Sequence, residues 1–548
     1  MNLARRLLCH ILILSSVALA IALGYANTLD VPFYFDDLPN IVNNSHLMLT
    51  EWDARALVEA GRQSPLPTRS LAYMSFALNH LASGFEVRGF HLLNLAIHLI
   101  ASMFIYLLAL ELLRAVGSGN REQQHRRAIV AIAAFCALVF ALHPIQTQAV
   151  TFIVQRMASM SAMFYLAAVY LYIKGRMSAV HGTRVMLWLA AALAWVLALA
   201  SKEIAVTLPF AIALYEWCFS ARAGQSARHI TPLVVGVVLA ALLAGGVLVI
   251  ATFGINPIKS ILAGYSVHPF TLGERLLTET RVIMYYLSLI TWPDPSRLTL
   301  LHDFEISRSL FKPLSTAFSI LAIVASIIIA ARVRARAPLV TFAVGWFYLH
   351  LLVESTILPL GLLFEHRLYL PMLGPIMLMA CGLIAIPPAP LPKGMVACIV
   401  IGSLAVMTHQ RNEIWREPVA FWSDVVAKNA SSVAAKNNLA NALLANAEFA
   451  RAEPLLRSAV KLEPRDARVR SNFAVSLFSL GRLDEAAAHL RIALRQRPDL
   501  AEAHFLLAQI LEKQGRRSLA RQHYQRATRL QLRPGTTLRA PSPSARAE

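Results

Sequence analysis

Hydrophobic side chains are gathered into long runs, separated by short polar loops, over the first 408 residues of the chain. Most runs are long enough for a helix that crosses the roughly 30 Å hydrocarbon core of a bilayer. The runs are Leu7 to Tyr25, Phe90 to Leu113, Ala128 to Leu142, Ala158 to Ile173, Val185 to Ala200, Ile204 to Phe219, Pro232 to Phe253, Leu314 to Ala331, Leu339 to Leu358, Leu368 to Ile386 and Met395 to Thr408. The pattern predicts an all-α polytopic membrane domain over residues 1–408, with about eleven spans.

A shorter run, Val282 to Trp292, holds two tyrosines and a tryptophan and is predicted to be a re-entrant or interfacial helix. The first run follows Arg5 and Arg6. Its Ala18-Leu19-Ala20 resembles a signal-peptide cleavage site, but the many later runs favour a retained first span. In either case the next loop lies outside.

Basic residues fix the expected orientation because cytoplasmic loops are enriched in Lys and Arg. They collect in alternate loops: Arg5/Arg6, Arg114/Arg121/Arg126/Arg127, Lys174/Arg176/Arg184, Arg222/Arg228, Arg332/Arg334/Arg336 and Lys393. With these loops inside, the first outer loop (26–89), the long outer loop (254–313) and the C-terminus lie on the far side of the membrane.

The composition agrees with this class of protein. The mean hydropathy is +0.55, with 57% hydrophobic and 15% charged residues, which excludes an ordinary soluble protein of 548 residues. The net charge is +20, and much of the base sits in short loops between apolar runs, so nucleic acid is not an expected partner. The five cysteines lack metal-ligand or disulfide spacing and are expected to pack as small apolar residues.

After residue 408 the chain repeats itself every 34 residues, as in Asn438-Leu439-Ala440, Asn472-Phe473-Ala474 and Leu506-Leu507-Ala508. The same step relates three further sets: Ala452, Ala486 and Ala520; Pro464 and Pro498; Gly481 and Gly515. This period and chemistry are typical of tetratricopeptide repeats. We predict a linker at 409–432, three repeats forming an α-solenoid at 433–532 with a groove for extended peptide, and a disordered tail at 533–548.

Two adjacent carboxylates, Asp36 and Asp37, follow the first span in an aromatic setting, Phe33-Tyr34-Phe35. Acids at a membrane boundary usually mark a site, and one of them could act as a general base. A solvated loop with a helix cap, or a shared divalent cation, is equally compatible with the pattern. The amphipathic stretch Ser70 to Leu81, after Arg69, is expected to lie on the membrane surface.

Other polar residues of the spans and outer loops are candidates for the same site. His91, Asn94 and His98 share one helix face but lack a third ligand at metal spacing, and His143-Pro144 ends the third span. Arg156, Lys202 and Arg367 are cations at the head-group level, where each could hold a lipid phosphate. Arg156 could instead snorkel, and Lys202 could pair locally with Glu203. Glu354 is expected inside a span, where it needs a partner, and Glu365-His366-Arg367-Leu368-Tyr369 begins another.

A carboxylate flanked by cations at the head-group level suits transfer from a lipid phosphate. The base would take a proton from an acceptor hydroxyl, and Lys or Arg would stabilise the departing phosphate. No nucleotide-binding fingerprint occurs in a matching context.

These motifs and their order resemble the membrane-embedded C-type glycosyltransferases that carry tetratricopeptide repeats, relatives of the protein O-mannosyltransferases. The motifs are Phe35-Asp36-Asp37, His91-x-x-Asn94-x-x-x-His98, His143-Pro144, Ser201-Lys202-Glu203 and Glu365-His366-Arg367-x-Tyr369-x-Pro371, and the resemblance covers about residues 7–530. It implies transfer of a sugar, typically mannose, from a polyprenyl-phosphate donor to protein Ser or Thr hydroxyls outside the cytoplasm, with inversion. It assigns the base to Asp36, with Asp37 as its neighbour, and the donor phosphate to Arg367, Lys202 and Arg156. It leaves His91, Asn94, His98, His143, Glu203, Glu354, Glu365, His366 and Tyr369 as supporting residues, with no metal ligand assigned.

Two departures concern the donor sugar and the acceptor more than the fold. The family often has Arg-Pro where this chain has Arg69-Ser70, and an acid where it has Gln146 and Gln148. The expected setting is a bacterial inner membrane with the repeats in the periplasm. Two rival functions stay open at this point: an oligosaccharide ligase that uses a polyprenyl-pyrophosphate glycan, and a non-enzymatic scaffold for envelope or pilus assembly.

Overall fold

A computed structural model describes residues 3–116, 122–219, 236–385 (apart from 237, 240, 241, 244, 248 and 251) and 392–531. The predicted tail 533–548 and part of the predicted span Pro232 to Phe253 lie outside these residues. The regular elements of the described residues are helices, beside one isolated β-bridge between Ser309 and Lys312. The predicted all-α class is confirmed.

The chain divides into two compact units. The first comprises Met1–Leu300 and Phe304–Glu413, and the second comprises Leu301–Asp303 and the chain from Ile414 onward. The helices of the first unit are α1 Leu3–Gly24, α2 Ala54–Arg62, α3 Ser70–Ser83, α4 Val87–Val116, α5 Glu122–Leu142, α6 Thr147–Val150, α7 Arg156–Met177, α8 His181–Leu199, α9 Leu208–Phe219, α10 Pro257–Gly264, α11 Leu272–Thr291, α12 Ser315–Val333, α13 Pro338–Leu351, α14 Leu373–Ala385 and α15 Lys393–Arg416.

Within the described residues, six helices are long and apolar enough to cross a membrane: α1, α4, the helical stretch ending in α7, α8, α12 and α15. A seventh candidate is the pair Arg126–Leu142 and Pro144–Val150, which is bent by 48°. Two shorter apolar helices cover Pro338–Leu351 and Leu373–Leu383. The chain is thus a multi-pass membrane protein by this measure, but the predicted count of about eleven spans is not confirmed.

Several predicted spans are shorter as helices than as apolar runs. The run from Ile204 begins with a 3₁₀ turn, Glu203–Thr207, before α9, and the run from Leu339 stops being helical at Leu351. Glu354 therefore lies beyond the end of a helix and not inside one. The segment predicted as re-entrant belongs to the 20-residue helix α11, which begins ten residues earlier than the apolar run.

The second unit contains the predicted repeats. Its helices are α16 Pro418–Lys428, α17 Val433–Ala445, α18 Phe449–Leu462, α19 Ala467–Ser479, α20 Leu483–Gln496, α21 Ala501–Lys513 and α22 Arg517–Gln531. The three helix pairs from α17 to α22 coincide with the three 34-residue repeats. The segment predicted as a linker is largely helical, occupied by the end of α15 and by α16.

Small residues allow the paired helices to pack closely. Ala440, Ala474 and Ala508 are fully buried at one position of the repeat. Gly481 and Gly515 turn the chain between paired helices with positive φ angles of 79° and 76°. The first repeat has Ala447 at this position, and it adopts a φ of 59° that alanine rarely takes.

Candidate functional site

Asp37 is bound to the backbone of two segments. Its Oδ2 accepts a hydrogen bond from Tyr34 N–H at 2.9 Å, and its Oδ1 accepts one from Val154 N–H at 2.7 Å. The side chain is 1% exposed, and this burial raises its pKa to about 8 although the two amides act in the opposite direction. The preceding Phe35 has a positive φ of 41°, which sets the tight turn that aims Asp37 inward. Asp37 therefore ties the first outer loop to residues 153–155.

Asp36 has the opposite environment. It is only partly buried, and no group among the described residues is seen to donate a hydrogen bond to its carboxylate. Burial raises its pKa from the ordinary value near 3.8. Of the two acids, Asp36 is the one whose oxygens are available to another molecule.

Arg156 supports the acid pair from within the protein. Its Nε donates to Asn94 Oδ1 at 2.6 Å, one terminal nitrogen donates to Phe90 O, and the other donates to Ser75 O and Oγ. The guanidinium also lies 4.6 Å from the centre of the Phe76 ring. Because each nitrogen already has a protein acceptor, the arrangement favours a positioning role for Arg156, and its predicted contact with the donor phosphate stays a prediction.

The histidines of the spans hold irregular backbone in place. His91 Nε2 bonds Val31 O at 2.8 Å, and His143 Nε2 bonds Ile290 O at 3.0 Å. His98 lies between Tyr369 Oη at 2.8 Å and Ala141 O at 3.0 Å. These three histidines are spread among different carbonyl groups and do not form one cluster.

The predicted cations Lys202 and Arg367 meet at one carboxylate. Lys202 Nζ lies 2.7 Å from Glu354 Oε1, and Arg367 Nε lies 4.0 Å from Glu354 Oε2. The terminal nitrogens of Arg367 donate to Leu362 O and Gly361 O. Its Nε, however, is buried without a hydrogen-bond acceptor in the described part of the chain. Lys202 and Arg367 are therefore the partners that Glu354 was expected to need. Lys202 does not pair with Glu203.

Glu203 instead pairs with Arg69. Arg69 Nε lies 3.1 and 3.0 Å from the two carboxylate oxygens of Glu203, and Thr68 Oγ1 donates to Oε1 at 2.5 Å. This bidentate pair is charge-neutral and lies beside Lys202. It stabilises the loop that carries Lys202 without using the Lys202 charge.

The residues before Arg367 are held from two sides. Glu365 Oε1 accepts from Thr299 N–H at 2.6 Å. Gln148 Oε1 lies 2.8 Å from the amide nitrogen of His366 and 3.0 Å from its Nδ1. Burial lowers the pKa of His366 well below its ordinary value near 6.5. The positive charges of Lys202, Arg367 and Arg69 lower it further. His366 is thus a neutral imidazole among cations.

Helix α3 connects the acid pair with the cations. At its start, Leu71 N–H donates to Ala200 O at 2.9 Å, close to Lys202. Four residues after Arg69, Tyr73 Oη donates to Asn40 Oδ1 at 2.5 Å, and Asn40 Nδ2 donates to Asp36 O at 2.8 Å. The predicted base and the predicted phosphate-binding residues therefore belong to one hydrogen-bonded assembly.

Sequence reasoning left several members of this assembly outside the site. They are Asn40, Arg69, Tyr73, Gln148, Arg275 and Glu279. Arg275 and Glu279 form a buried ion pair at i, i+4 on α11, with 2.9 Å between Arg275 and Glu279 Oε1. Their i, i+4 spacing, which places opposite charges on one helix face, was the available signal.

No group of three or more His, Cys, Asp and Glu side chains that could hold a metal ion occurs in the described ranges. Both oxygens of Asp37 already accept amide hydrogens. A divalent cation shared by Asp36 and Asp37 stays a prediction.

Comparison with known proteins places both parts of the chain. Residues 437–501 and 471–535 match the tetratricopeptide repeat family. The chain is 24% identical over 546 residues to Protein O-mannosyl-transferase Tmtc3 of Drosophila melanogaster, covering 86% of this chain and 57% of that protein. It is 32% identical over 199 residues to Protein O-mannosyl-transferase Tmtc1 of Drosophila melanogaster, covering 35% of this chain and 21% of that protein.

Each of these alignments spans less than two thirds of the relative. A solved structure, MamA AMB-1 C2221, matches 24% of this chain and 78% of that chain at 24% identity with a TM-score of 0.20. The chain is a repeat-bearing, multi-span protein that resembles the protein O-mannosyl-transferases.

Proposed function

We propose that this chain is a glycosyltransferase that moves a hexose, with mannose the first candidate, from a polyprenyl-phosphate donor to Ser or Thr hydroxyls of proteins. The reaction takes place at the non-cytoplasmic face of the membrane, because the acid pair follows the first span and the basic loops mark the opposite side. The names of the similar proteins support transfer of mannose to protein acceptors.

The observation that carries the proposal is the sharing of Glu354 by Lys202 and Arg367. Two cations and one carboxylate leave one uncompensated positive charge, and Arg367 Nε has no acceptor among the described residues. A polyprenyl-phosphate sugar is a phosphodiester with a single negative charge. The charge of the trio therefore matches a monophosphate donor better than a pyrophosphate-linked glycan.

The assembly supports a single displacement. Asp36 takes the proton from the acceptor hydroxyl, whose oxygen attacks the anomeric carbon of the sugar. The bond between that carbon and the phosphate oxygen breaks, and the electron pair leaves with the polyprenyl phosphate. Lys202 and Arg367 stabilise the negative charge that develops on the leaving group. Attack opposite the leaving group inverts the anomeric configuration.

Asp37 and Arg156 position this machinery without touching the substrate. Asp37 holds the Asp36 turn against Val154, and Arg156 joins α3, α4 and α7 through Ser75, Phe90 and Asn94. The repeats supply a surface of stacked helices, which in this class of domain binds extended peptide. We assign them the recruitment of acceptor proteins.

The experiment uses the full chain in nanodiscs with synthetic undecaprenyl-phosphate mannose and a Ser/Thr-containing peptide mixture, read by mass spectrometry. Wild type is expected to add one hexose per modified hydroxyl. Asp36→Asn is expected to lose at least a hundredfold in rate, because general-base catalysis contributes about 10²–10⁴-fold. Asp53→Asn is the matched control from the same loop, since Asp53 caps α2 and Asn caps a helix equally well.

Three outcomes contradict the proposal. Full activity of Asp36→Asn would show that Asp36 is not the general base. Transfer only from an undecaprenyl-pyrophosphate glycan identifies the oligosaccharide ligase instead. Unchanged glycoproteins in deletion cells, together with lost partner recruitment when residues 433–531 are deleted, identifies the scaffold.

A further inference from the structure

Gln148 and His366 form a hydrogen-bonded pair that the reaction above does not use, with His366 only partly buried. Gln148 is fully buried in the short helix α6, and its Nε2 has no acceptor among the described residues. A buried amide hydrogen without an acceptor is costly, so a bound molecule that offers an acceptor to Gln148 Nε2 would be favoured.

The orientation of the Gln148 amide follows from its neighbour. The amide nitrogen of His366 lies 2.8 Å from Gln148 Oε1, and a backbone N–H can only donate. The oxygen of Gln148 must therefore face His366, and the NH₂ group must face away from this amide. The assignment of the two side-chain atoms is chemically determined.

The same contact selects the tautomer of His366. Its Nδ1 lies 3.0 Å from Gln148 Oε1, which has no hydrogen to give, so Nδ1 carries the proton. The imidazole is neutral, and its Nε2 then presents a lone pair. No hydrogen bond to this Nε2 is found in the part of the chain that the structure describes.

Together the two side chains offer one donor, Gln148 Nε2, and one acceptor, His366 Nε2. Nδ1 and Nε2 project from opposite sides of an imidazole, so the donor and the acceptor face different ligand atoms. A sugar fits such a pair, because its several hydroxyls can each donate or accept. His366 directly precedes Arg367. The charges of Lys202, Arg367 and Arg69 are close enough to disfavour protonation of its imidazole. The pair therefore lies next to the cations assigned to the donor phosphate.

We propose that Gln148 and His366 form a subsite that recognises hydroxyls of the sugar attached to the donor phosphate, one of them through Gln148 Nε2. This inference rests on the proposed function, because it takes Lys202 and Arg367 as the phosphate-binding residues. It assigns to the pair a part in sugar specificity and no part in the proton transfer.

Gln146 provides a matched control. It lies two residues away, is 1% exposed, and its Nε2 contacts Met372 Sδ at 3.2 Å instead of His366. Replacing either glutamine by Met removes a buried amide of similar size from the same short segment. Only replacement of Gln148 removes the proposed hydroxyl contact.

The test measures binding of two lipids to the full chain in nanodiscs: undecaprenyl phosphate and undecaprenyl-phosphate mannose. Gln148→Met is expected to weaken binding of the mannosyl lipid about tenfold relative to undecaprenyl phosphate, as for the loss of one buried hydrogen bond. Gln146→Met is expected to leave this ratio unchanged. General damage to the site affects both lipids, so the ratio separates recognition of the sugar from folding.

A second measurement varies the donor. Among donors that lack one sugar hydroxyl each, one is expected to bind wild type about tenfold more weakly and to show no further loss with Gln148→Met. An unchanged lipid ratio in Gln148→Met, or additive losses for every deoxy donor, overturns the subsite while the proposed function stands. If wild type binds neither lipid, the proposed function and the subsite fail together.

Discussion

Replacement of Glu354 by Gln is a direct test of the cation assembly. At an effective dielectric constant of 20, Coulomb's law gives about 6 kcal/mol for unit charges at the 2.7 Å of Lys202 and about 4 kcal/mol at the 4.0 Å of Arg367. Much of this attraction is offset by the desolvation of three buried groups. Loss of one partner from a buried ion pair costs about 3–5 kcal/mol, because it leaves an uncompensated charge. The side chain of Lys202 is 7% exposed, so solvent screens the remaining repulsion poorly.

We therefore expect Glu354→Gln to lower the free energy of unfolding by about 3–5 kcal/mol, measured by tryptophan fluorescence in detergent. The control is Glu305→Gln, which breaks a pair with Arg281 in which Glu305 is 70% exposed, and its effect should stay below about 1 kcal/mol. A loss in Glu354→Gln no larger than in the control refutes the reasoning about charge. Undecaprenyl phosphate should stabilise Glu354→Gln more than wild type, because its phosphate replaces the missing anion. If undecaprenyl phosphate stabilises Glu354→Gln less than wild type, Lys202 and Arg367 do not bind the phosphate.

Three further predictions concern the repeats and the acid pair. Ala447→Gly should raise the unfolding free energy by about 1 kcal/mol, since glycine tolerates the positive φ, whereas Gly481→Ala should lower it by a similar amount. Amide hydrogen exchange of the flanking helices measures both effects. A change of the same sign in both variants would contradict the positive φ at these two positions. In the pH profile of kcat/KM, the midpoint of the acidic limb should lie above pH 3.8, because burial raises the pKa of Asp36 and only its deprotonated form acts as base. A midpoint at or below that pH excludes Asp36 as the base. Tyr73→Phe should lower kcat with little change in the Kd of undecaprenyl phosphate, because it removes the 2.5 Å contact with Asn40 and leaves the cations in place; equal changes in both would indicate general damage.

Sequence periodicity predicted what depends on local composition. Apolar runs mark α1, α4 and α12, and the 34-residue period marks the repeats, because both signals are properties of neighbouring residues. The candidate residues Asp36, Lys202 and Arg367 could be chosen from their chemistry and their place at the ends of spans. Which of them meet could not be read in this way.

Partnerships across the chain explain the misses. Lys202 pairs with Glu354 and not with its neighbour Glu203, a contact that no local pattern encodes. The apolar run from Leu339 was too long as a predicted helix because Arg275 binds carbonyls of the following loop, including Thr356 O and Glu354 O. A buried side chain that satisfies free carbonyls allows an apolar segment to leave the helical conformation.

The contact between Asp37 and Val154 cannot form until a long stretch of chain has been synthesised. The two residues are separated by 117 positions, so the ribosome must still make that much chain after Asp37 before the amide of Val154 exists. At about 5–20 residues per second this takes roughly 6–23 seconds. During that interval Asp37 can accept a hydrogen bond only from Tyr34 N–H of its own turn, so the first outer loop is not yet tied to residues 153–155. In the enzyme we propose, the turn that presents Asp36 would therefore be fully held only after the third apolar segment has been made and the chain has reached Val154.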